Sequence, residues 1–578
     1  ISQHVVGRSQ SFGEVRNSLY QRQQTSGHLS APWIWIQTEG TSAQTDWRRR
    51  ANIRLLHVEP EQIQQQVLLG LSAECKGMGY WKTGVWDRDD PLQREVMLAI
   101  ELASLELRLL EPILASGRID GHLAIHETSP GQSIRAASST SEPWQKSVLN
   151  GRQLSSVISR EARPSGADAT VIRHAGTSLI MVCDWDDRAQ YVPGPMYSPQ
   201  VQLTVTAPET ASAWQISTTR IHSFPRLPVA GGLQVSIDNL NQHAWIMVCS
   251  DPEQIREIEN RIHGIAERAA TATTELATLK LRRVLGTCEQ IAQYHELPDR
   301  VRQWLSTAST KVDEADHELS QREFHFAASR AQEAMRYLRL VQRTCWEDAV
   351  ARMITPNASP HTISFSTLPD HWAMLQTLRE RRPSASGNLI AGGDFQDAKL
   401  FQTAGWESSI SDTESWHCTS DLVTDPVRSN QLLRLAAWRP VGRSQPANQD
   451  PVGSGAEIPL VISTPPVDCA AGDLMEISGR IRRGRAMSSA AERPVLLFDS
   501  QLGPENGVTP VLTNDWMTFR IVRPVVTSGV FRFSAAMLDA AEVQLDDLEV
   551  VRYPQPAITT STLPNGHTGP RLLLPRPQ

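Results

Sequence analysis

The strongest constraint on the fold is a run of apolar residues spaced three and four positions apart in the middle of the chain. The run comprises Ile255, Ile258, Ile262, Ile265, Ala269, Ala272, Leu276 and Leu279. This spacing places all of them on one face of a helix and predicts that the face packs against other helices. Strand-like sequence lies on both sides of the run. A chain of 578 residues with this pattern is therefore predicted to be multidomain.

Residues 1–118 alternate short strand candidates with helix candidates. The strand candidates are His4–Arg8, Pro32–Gln37 and Gly77–Trp81, and helical spacing follows each of them. The second candidate is apolar on both faces, which is typical of a strand buried on both sides in a parallel sheet. Since 118 residues leave no room for eight such units, we expect the C-terminal portion of a β/α barrel, whose first strands would precede Ile1.

The rest of the chain divides by periodicity and turn residues. Short strands separated by Gly and Pro predict an antiparallel β-sandwich, and they return after the helical region. A proline-rich end predicts an extended, disordered tail. The predicted segments are a sandwich at 119–251, an α-helical hairpin or bundle at 252–354, a linker with some strand pairing at 355–386, a β jelly roll at 387–553 and the tail at 554–578.

Charge and cysteine content limit the classes of ligand and partner that the chain is expected to bind. The chain has 56 basic and 63 acidic residues, so it lacks the positive field that holds nucleic acid phosphates. No apolar run approaches the roughly 20 residues that a membrane-spanning helix needs. The cysteines are widely spaced and form no CxxC pair, so no zinc site is predicted and no cofactor is required.

The candidate site follows the second and third strand candidates. Glu39 comes just after one strand, and Lys82, Trp86 and Asp87 come just after the next. Side chains at the carboxyl ends of parallel strands meet at one edge of the sheet. Indole rings suit the apolar faces of a sugar ring, and a carboxylate beside them suits glycosidic chemistry. We therefore expect a sugar contact from Trp35, Gln37, Trp81, Lys82, Trp86 and Asp87 and a catalytic role for Glu39.

The first 250 residues carry a family resemblance. The stretches Pro32-Trp33-Ile34-Trp35-Ile36-Gln37-Thr38 and Lys76-Gly77-Met78-Gly79-Tyr80-Trp81 resemble the final strands of glycoside-hydrolase-type (β/α)8 barrels with an appended sandwich. The resemblance implies that Glu39 stands where such enzymes place a nucleophile. Their acid/base lies on the fourth strand, which this chain lacks, so we expect the chain alone to be catalytically inactive.

The C-terminal region carries a second resemblance. Gly387 to Gln396 and Val543 to Val550 resemble the first and last strands of galactose-binding-like jelly rolls, a fold that many carbohydrate-binding modules share. The resemblance implies a possible structural Ca²⁺ between Asp394 and Asp546, because hard oxygen ligands suit that ion. Trp416, Trp438 and Trp516 are candidate sugar platforms in this region.

These expectations give one function and one alternative. The chain is expected to be carbohydrate-directed, as a fragment of a glycoside hydrolase that acts on a polysaccharide or glycoconjugate. The alternative is a non-catalytic carbohydrate-binding or cell-surface scaffold protein with a degenerate barrel. Both resemblances imply a secreted or extracytoplasmic protein, while the oligomeric state stays open.

Overall fold

The computed structural model of the chain describes residues 5–26, 32–123, 125–127, 167–410, 416–425, 427–439, 458–484 and 493–556. The end of the predicted tail, from residue 557, lies outside these residues. The chain is multidomain, and most of its sheets are antiparallel. Within the described part, no helix is both long and apolar enough to cross a membrane.

The first unit contains one parallel strand pair and four helices. Its elements are α1 (Phe12–Ser26), β1 (Trp33–Gln37), α2 (Ser42–Ala51), α3 (Pro60–Ser72), β2 (Gly77–Trp81) and α4 (Pro91–Ser116). Strand β1 pairs with β2 in parallel, so β1-α3-β2 is one β/α/β unit. Helix α3 covers the Ile34 side of this sheet so closely that a Cβ on Gly70 would lie 2.8 Å from Cγ2 of Ile34. Two parallel strands are the extent of the barrel-like sheet in the described residues, and the barrel stays a prediction.

Residues 5–8, the described part of the first predicted strand, do not form a strand. Residues Val5 to Arg8 form a turn, because Gly7 takes a positive φ of 76° that interrupts an extended backbone. The amide of Val6 donates instead to Oε1 of Gln37 at 3.0 Å, which covers the end of β1.

The second unit is a β-sandwich of one six-stranded and one four-stranded sheet. The strand orders are β3-β5-β6-β12-β8-β9 and β10-β11-β7-β4. The sheets enclose an aliphatic core that includes Val182, Val235 and Ile246. The strands are β3 (Arg118–Leu123), β4 (His126–Glu127), β5 (Ala167–His174), β6 (Thr177–Asp184), β7 (Tyr197–Thr206), β8 (Ser212–Ile216), β9 (Ile221–Ser223), β10 (Leu227–Val229), β11 (Gly232–Asn241) and β12 (His243–Cys249).

Three long helices follow, where the sequence predicted a hairpin or bundle. They are α5 (Pro252–Ala292), α6 (Asp299–Ser320) and α7 (Phe324–Val350), and each packs on the other two. Asp251 caps α5 by accepting from the amide of Glu253 at 2.9 Å, and Pro252 occupies the first turn. Most of the predicted apolar face of α5 is buried, including Ile255, Ile262 and Leu276.

A buried ion cluster joins the first unit to these helices. Arg283 of α5 binds Glu59 through two hydrogen bonds of 2.8 and 2.7 Å and also contacts Glu95 of α4 at 2.9 Å. Lys280 of α5 lies 2.7 Å from both carboxylate oxygens of Glu61. Burial alone would raise the pKa of Glu59, but Arg283 and Lys280 hold it well below its ordinary value.

The segment at 355–386, predicted as a linker with strand pairing, contains helical turns and no strand. It holds short 3-10 turns at Pro356–Ala358 and Phe365–Thr367 and the helix α8 (Leu368–Glu380). Its backbone carbonyls are held from several sides: Trp346 of α7 donates to Thr362 at 2.7 Å, Arg523 donates to Ala358 at 2.7 Å and Arg48 of α2 donates to Pro360. The segment is therefore a packed connector, because satisfied and buried carbonyls fix it in place.

The last unit is a jelly roll of two larger antiparallel sheets, with β17 and β21 forming a further two-stranded antiparallel pair. The strand orders of the two larger sheets are β13-β16-β22-β19 and β14-β15-β23-β18-β20. Residues 387–396, predicted as its first strand, lie beside β23 without forming one, and the amide of Leu389 donates to Val550 at 2.9 Å. The elements are α9 (Ala398–Thr403), β13 (Glu407–Ile410), β14 (His417–Thr424), β15 (Gln431–Trp438), β16 (Leu460–Ser463), β17 (Val467–Cys469), β18 (Leu474–Arg483), β19 (Val495–Asp499), β20 (Met517–Pro524), β21 (Gly529–Phe531), β22 (Phe533–Met537) and β23 (Ala541–Tyr553).

The ion cluster predicts a large stability difference between two lysine substitutions. Lys280→Met leaves Glu61 buried beside an uncharged side chain, so we expect a loss of about 3–5 kcal/mol in the free energy of unfolding. Lys311→Met removes a pair with Glu314 at the helix surface, where the lysine is 19% and the glutamate 38% exposed, and should cost about 1 kcal/mol or less. Urea denaturation followed by circular dichroism at 222 nm measures both. Equal midpoints for the two variants would contradict a structural role for the cluster.

The connector predicts a loss of stability in weak acid. Burial lowers the pKa of His371 to about 4, whereas an unfolded histidine titrates near 6.5. Between these values the unfolded chain binds more protons, so stability falls as the pH drops, by up to about 1.4 kcal/mol per pH unit for this histidine. His371→Asn should flatten that slope in urea midpoints taken from pH 7 to 4.5. His263→Asn, at an exposed position on α5, serves as the control and should leave the slope unchanged.

Candidate functional site

The candidate site lies at the carboxyl ends of β1 and β2, where three of the predicted residues meet. Oε1 of Glu39 accepts from the amide of Thr83 at 2.7 Å and from its hydroxyl at 2.5 Å. Oε2 of Glu39 accepts from Nζ of Lys82 at 3.4 Å. The same ammonium lies 4.9 Å from the centre of the Trp86 ring, within cation–π distance. Glu39, Lys82 and Trp86 are therefore brought together, with Thr83 added to them.

Hydrogen bonding keeps Glu39 ionised. Burial raises the pKa of this carboxyl group, but the hydrogen bonds from Thr83 and the charge of Lys82 outweigh that effect and hold the pKa below its ordinary value. The side chain remains about a quarter exposed, at 24%. An oriented, accessible carboxylate with a lowered pKa suits the role of a nucleophile or an electrostatic stabiliser, and not that of a general acid.

Gln37 lies behind Glu39 and is engaged on every side. Its Oε1 accepts from Val6 and its Nε2 donates to the carbonyl oxygen of Glu39 at 2.9 Å. Its backbone amide donates to Oε1 of Gln66 on α3 at 2.7 Å. Gln37 therefore fixes the backbone under Glu39, and a sugar contact would require it to give up these bonds.

Trp81 and Asp87 make other contacts at the strand ends. The carbonyl oxygen of Trp81 accepts from the hydroxyl of Thr38 at 2.6 Å, which joins the two strand ends, and its side chain is half-buried. Asp87 is exposed and its Oδ1 accepts from the amide of Asp89 at 3.0 Å. Asp87 therefore shapes the loop after β2, and it stays a candidate for hydroxyl binding.

The sequence predicted a sugar contact from Trp35, but it did not predict that Trp33 and Trp35 together form an exposed aromatic surface on the face of the sheet opposite α3. Trp33 is 62% exposed and Trp35 is 49% exposed, although β1 was predicted to be buried on both sides. Each ring lies over a glycine of β2, since Trp33 pairs with Gly77 and Trp35 with Gly79. A Cβ on either glycine would overlap the indole above it. We call this pair, Trp33 and Trp35, the tryptophan platform.

The signal for the platform was present in the sequence. Residues two apart on a strand share a face, so Trp33 and Trp35 share one face, and Ile34 and Ile36 the other. Gly77 and Gly79 follow the same period on the neighbouring strand, and they leave room for two flat rings. The step that was missing is the residue-by-residue register, which sets Trp33 opposite Gly77 and Trp35 opposite Gly79.

The predicted calcium pair does not have a donor set that fits the ion. Asp546 is buried, and its Oδ2 accepts from Arg480 at 2.7 Å and from Asn430 at 3.0 Å. Asp394 is exposed and accepts only weakly, from the amide of Gln396 at 3.4 Å. The guanidinium of Arg480 lies between Asp546 and Asp547, at 2.7 and 2.6 Å, and occupies the position beside the buried carboxylate. Across the described ranges, no group of three or more His, Cys, Asp or Glu residues is placed to hold a metal ion.

The jelly-roll tryptophans are covered to different degrees. Trp416 is buried, and the guanidinium of Arg439 lies 4.3 Å from its ring centre. Arg482 covers Trp516 at 4.4 Å, and Trp438 packs against His417 with ring centres 6.0 Å apart. Their exposed ring area is therefore smaller than that of the tryptophan platform.

No family model and no curated protein sequence matches the chain. Its structural neighbours include carbohydrate-binding modules. The CBM22-1 xylan-binding domain from Paenibacillus barcinonensis is 15% identical over 26% of this chain and 88% of that chain, with a TM-score of 0.17. A CBM4 structure is 19% identical over 29% of this chain and 99% of that one, with a TM-score of 0.19.

An enzyme domain is also among the neighbours. The enzymatically active domain of tailspike protein 4 from bacteriophage CBA120 is 11% identical over 28% of this chain, with a TM-score of 0.19. The chain covers only 21% of that domain. Likeness at TM-scores this low carries no argument, so any function must rest on the side chains.

The close fit of the rings over β2 predicts that one glycine substitution changes the tryptophan spectra and that a second one does not. Gly79→Ala adds a methyl group that overlaps the ring of Trp35, so the indole must move and the near-ultraviolet circular dichroism and tryptophan emission should change. Gly84→Ala meets nothing within 4 Å and should leave both spectra unchanged. An unaltered Gly79→Ala spectrum would show that Trp35 does not lie over β2 in solution.

Proposed function

We propose that this chain is a carbohydrate-binding protein that holds a glycan along the tryptophan platform and the adjoining ends of β1 and β2. The observation that carries the proposal is the exposure of two indole rings, side by side on one rigid sheet face. Large apolar side chains exposed together on a surface mark interaction sites. Flat rings fixed over glycines offer stacking area to a sugar ring without loss of side-chain freedom.

The polar groups beside the platform support a sugar ligand over a purely apolar one. The next residues along β1 lead to Glu39, and the loop after β2 supplies Lys82 and Asp87. Carboxylate and ammonium groups bind sugar hydroxyls, and a few such groups beside aromatic rings are typical of small-ligand sites. The platform therefore supplies contact area while these groups supply orientation.

Hydrolysis of a glycosidic bond is the second candidate, and Glu39 favours it. An ionised carboxylate fixed by Thr83 and Lys82 is suited to attack a sugar carbon or stabilise positive charge on it. The reaction also needs an acid about 5–10 Å away, and Glu39 itself is the wrong partner for that role because its pKa is lowered. The proposal therefore assigns glycan binding to this chain. Hydrolysis would require a second carboxyl group that acts as the acid. An extracytoplasmic location belongs to the same proposal, because polysaccharides are its expected ligands.

The proposal predicts that the two platform tryptophans dominate glycan affinity. The probes are soluble xylan, mixed-linkage glucan and galactan in native affinity gels, followed by calorimetry with whichever retards the chain. The double variant Trp33→Ala, Trp35→Ala should weaken binding at least about thirtyfold, as expected for aromatic side chains that a ligand buries on binding. Phe326→Ala, which removes a ring that is 52% exposed on α7, should leave it unchanged.

The same samples separate binding from hydrolysis. We expect no release of reducing ends by the chain, and Glu39→Gln should retain most of the affinity. Turnover abolished by Glu39→Gln would favour hydrolysis as the activity. Absence of retardation by all three polysaccharides, or equal losses in the platform and Phe326 variants, would overturn the proposed site.

A further inference from the structure

Two buried cysteines meet where α5 packs against α7. Cys288 of α5 is 2% exposed and Cys345 of α7 is 4% exposed, and both belong to the apolar core of this part of the chain. Their thiols are in hydrogen-bonding contact with each other, and both are free in the structure. The other five cysteines of the chain lie in other units.

The packing of the two helices accounts for this contact. Short turns join α5, α6 and α7, so α5 and α7 run in the same direction. Before the cysteines, Arg283 of α5 and Gln342 of α7 both donate to Oε1 of Glu59, at 2.8 and 2.9 Å. After the cysteines, His295 of α5 contacts Asp348 of α7 at 2.5 Å. The thiol contact lies between these two fixed points on both helices, so the helix register sets it.

Two thiols in contact on packed helices are suited to form a disulfide. The bond holds its sulfur atoms at about 2.05 Å, which is a small movement from hydrogen-bonding contact. A metal ion would need further ligands beside the two sulfurs. In the part of the chain that the structure describes, no group of three or more His, Cys, Asp or Glu residues is placed to supply them.

We propose that Cys288 and Cys345 form a disulfide that links α5 to α7 when the chain folds in an oxidising environment. The oxidant is a second disulfide, either oxidised glutathione or a thiol–disulfide oxidoreductase. One thiolate attacks the oxidant and forms a mixed disulfide, and the other thiolate then displaces the oxidant from it. Both cysteines lose their protons, one S–S bond forms, and two electrons reduce the oxidant to two thiols.

Burial determines when the bond forms. The hydrogen bond with Cys345 and burial raise the pKa of Cys288, so the folded chain presents little thiolate to an oxidant or a reductant. The bond therefore forms during folding, before the helices close over it, and resists reduction afterwards. It closes a loop that contains all of α6, and closing a long loop stabilises a protein by restricting its unfolded chain.

The disulfide would hold the same helices as the ion cluster. Arg283 of the cluster lies little more than one turn before Cys288 on α5. The bond is covalent, so unlike the cluster it does not depend on pH or salt. The proposed extracytoplasmic location would supply a suitable oxidant. Formation of the bond does not depend on the proposed glycan.

The first test is thiol counting and peptide mapping of the full chain, produced once with export to an oxidising compartment and once in a reducing cytosol. In guanidinium, a maleimide should label five of the seven cysteines of the exported chain and all seven of the cytosolic chain. Trypsin without reductant should release residues 284–300 joined to residues 344–352. Cys288→Ala should abolish the joined peptide. Cys249→Ala, at a similarly buried cysteine of β12, should keep it.

The second test is thermal unfolding of the two wild-type samples, which does not require any variant to fold. The exported chain should unfold at a temperature about 5 °C or more above that of the cytosolic chain. Cys288→Ala should unfold at the same temperature from either source. Seven free thiols in the exported chain, a disulfide between other cysteines, or equal wild-type unfolding temperatures would overturn the proposal. These measurements involve no glycan, so their outcome is separate from that of the proposed function.

Discussion

The ion cluster between the first unit and the three long helices is the interaction on which the rest of the structure depends. Glu59, Glu61 and Glu95 carry three negative charges, and Lys280, Arg283 and Arg339 carry three positive ones, all at or below 8% side-chain exposure. Such charges are tolerated in a protein interior only together, since each alone would carry a large desolvation cost. Because they come from the start of α3 and from α4, α5 and α7, the pairing fixes the relative position of these four helices.

The candidate site depends on this arrangement through α3. The ion cluster holds the start of this helix, whose face packs over Ile34 of β1. Gln66 of the same helix accepts from the amide of Gln37, and Gln37 in turn donates to the carbonyl of Glu39. The position of the site carboxylate is therefore set from the helix side of the sheet. The tryptophan platform, on the opposite face, is free to remain exposed because the sheet does not rely on it for its core.

Local periodicity predicted the secondary structure well where one face of an element is buried. The strands of the sandwich and the apolar face of α5 were predicted because their patterns repeat every two residues or every three to four. The ion cluster was not predictable, since Glu59 and Lys280 are far apart in sequence and each resembles an ordinary surface charge. The connector was predicted as a linker because its polar residues, such as Thr362 and His371, are typical of loops, and their burial arises from contacts with three other parts of the chain.

At the site, Glu39, Lys82 and Trp86 were predicted from their positions after two strands, while Trp33 was missed because a strand rich in apolar residues suggested burial on both faces.

The connector also determines how the jelly roll can contribute to any two-site attachment. A module on a flexible tether samples a volume, and the gain from a second contact then depends on tether length. Here Arg48 of α2 and Arg523 of β20 donate to two nearby carbonyls of the connector, those of Pro360 and Ala358. These bonds tie the jelly roll to α2 through the connector, so a second contact made by the jelly roll would start from a held position and not from a flexible tether.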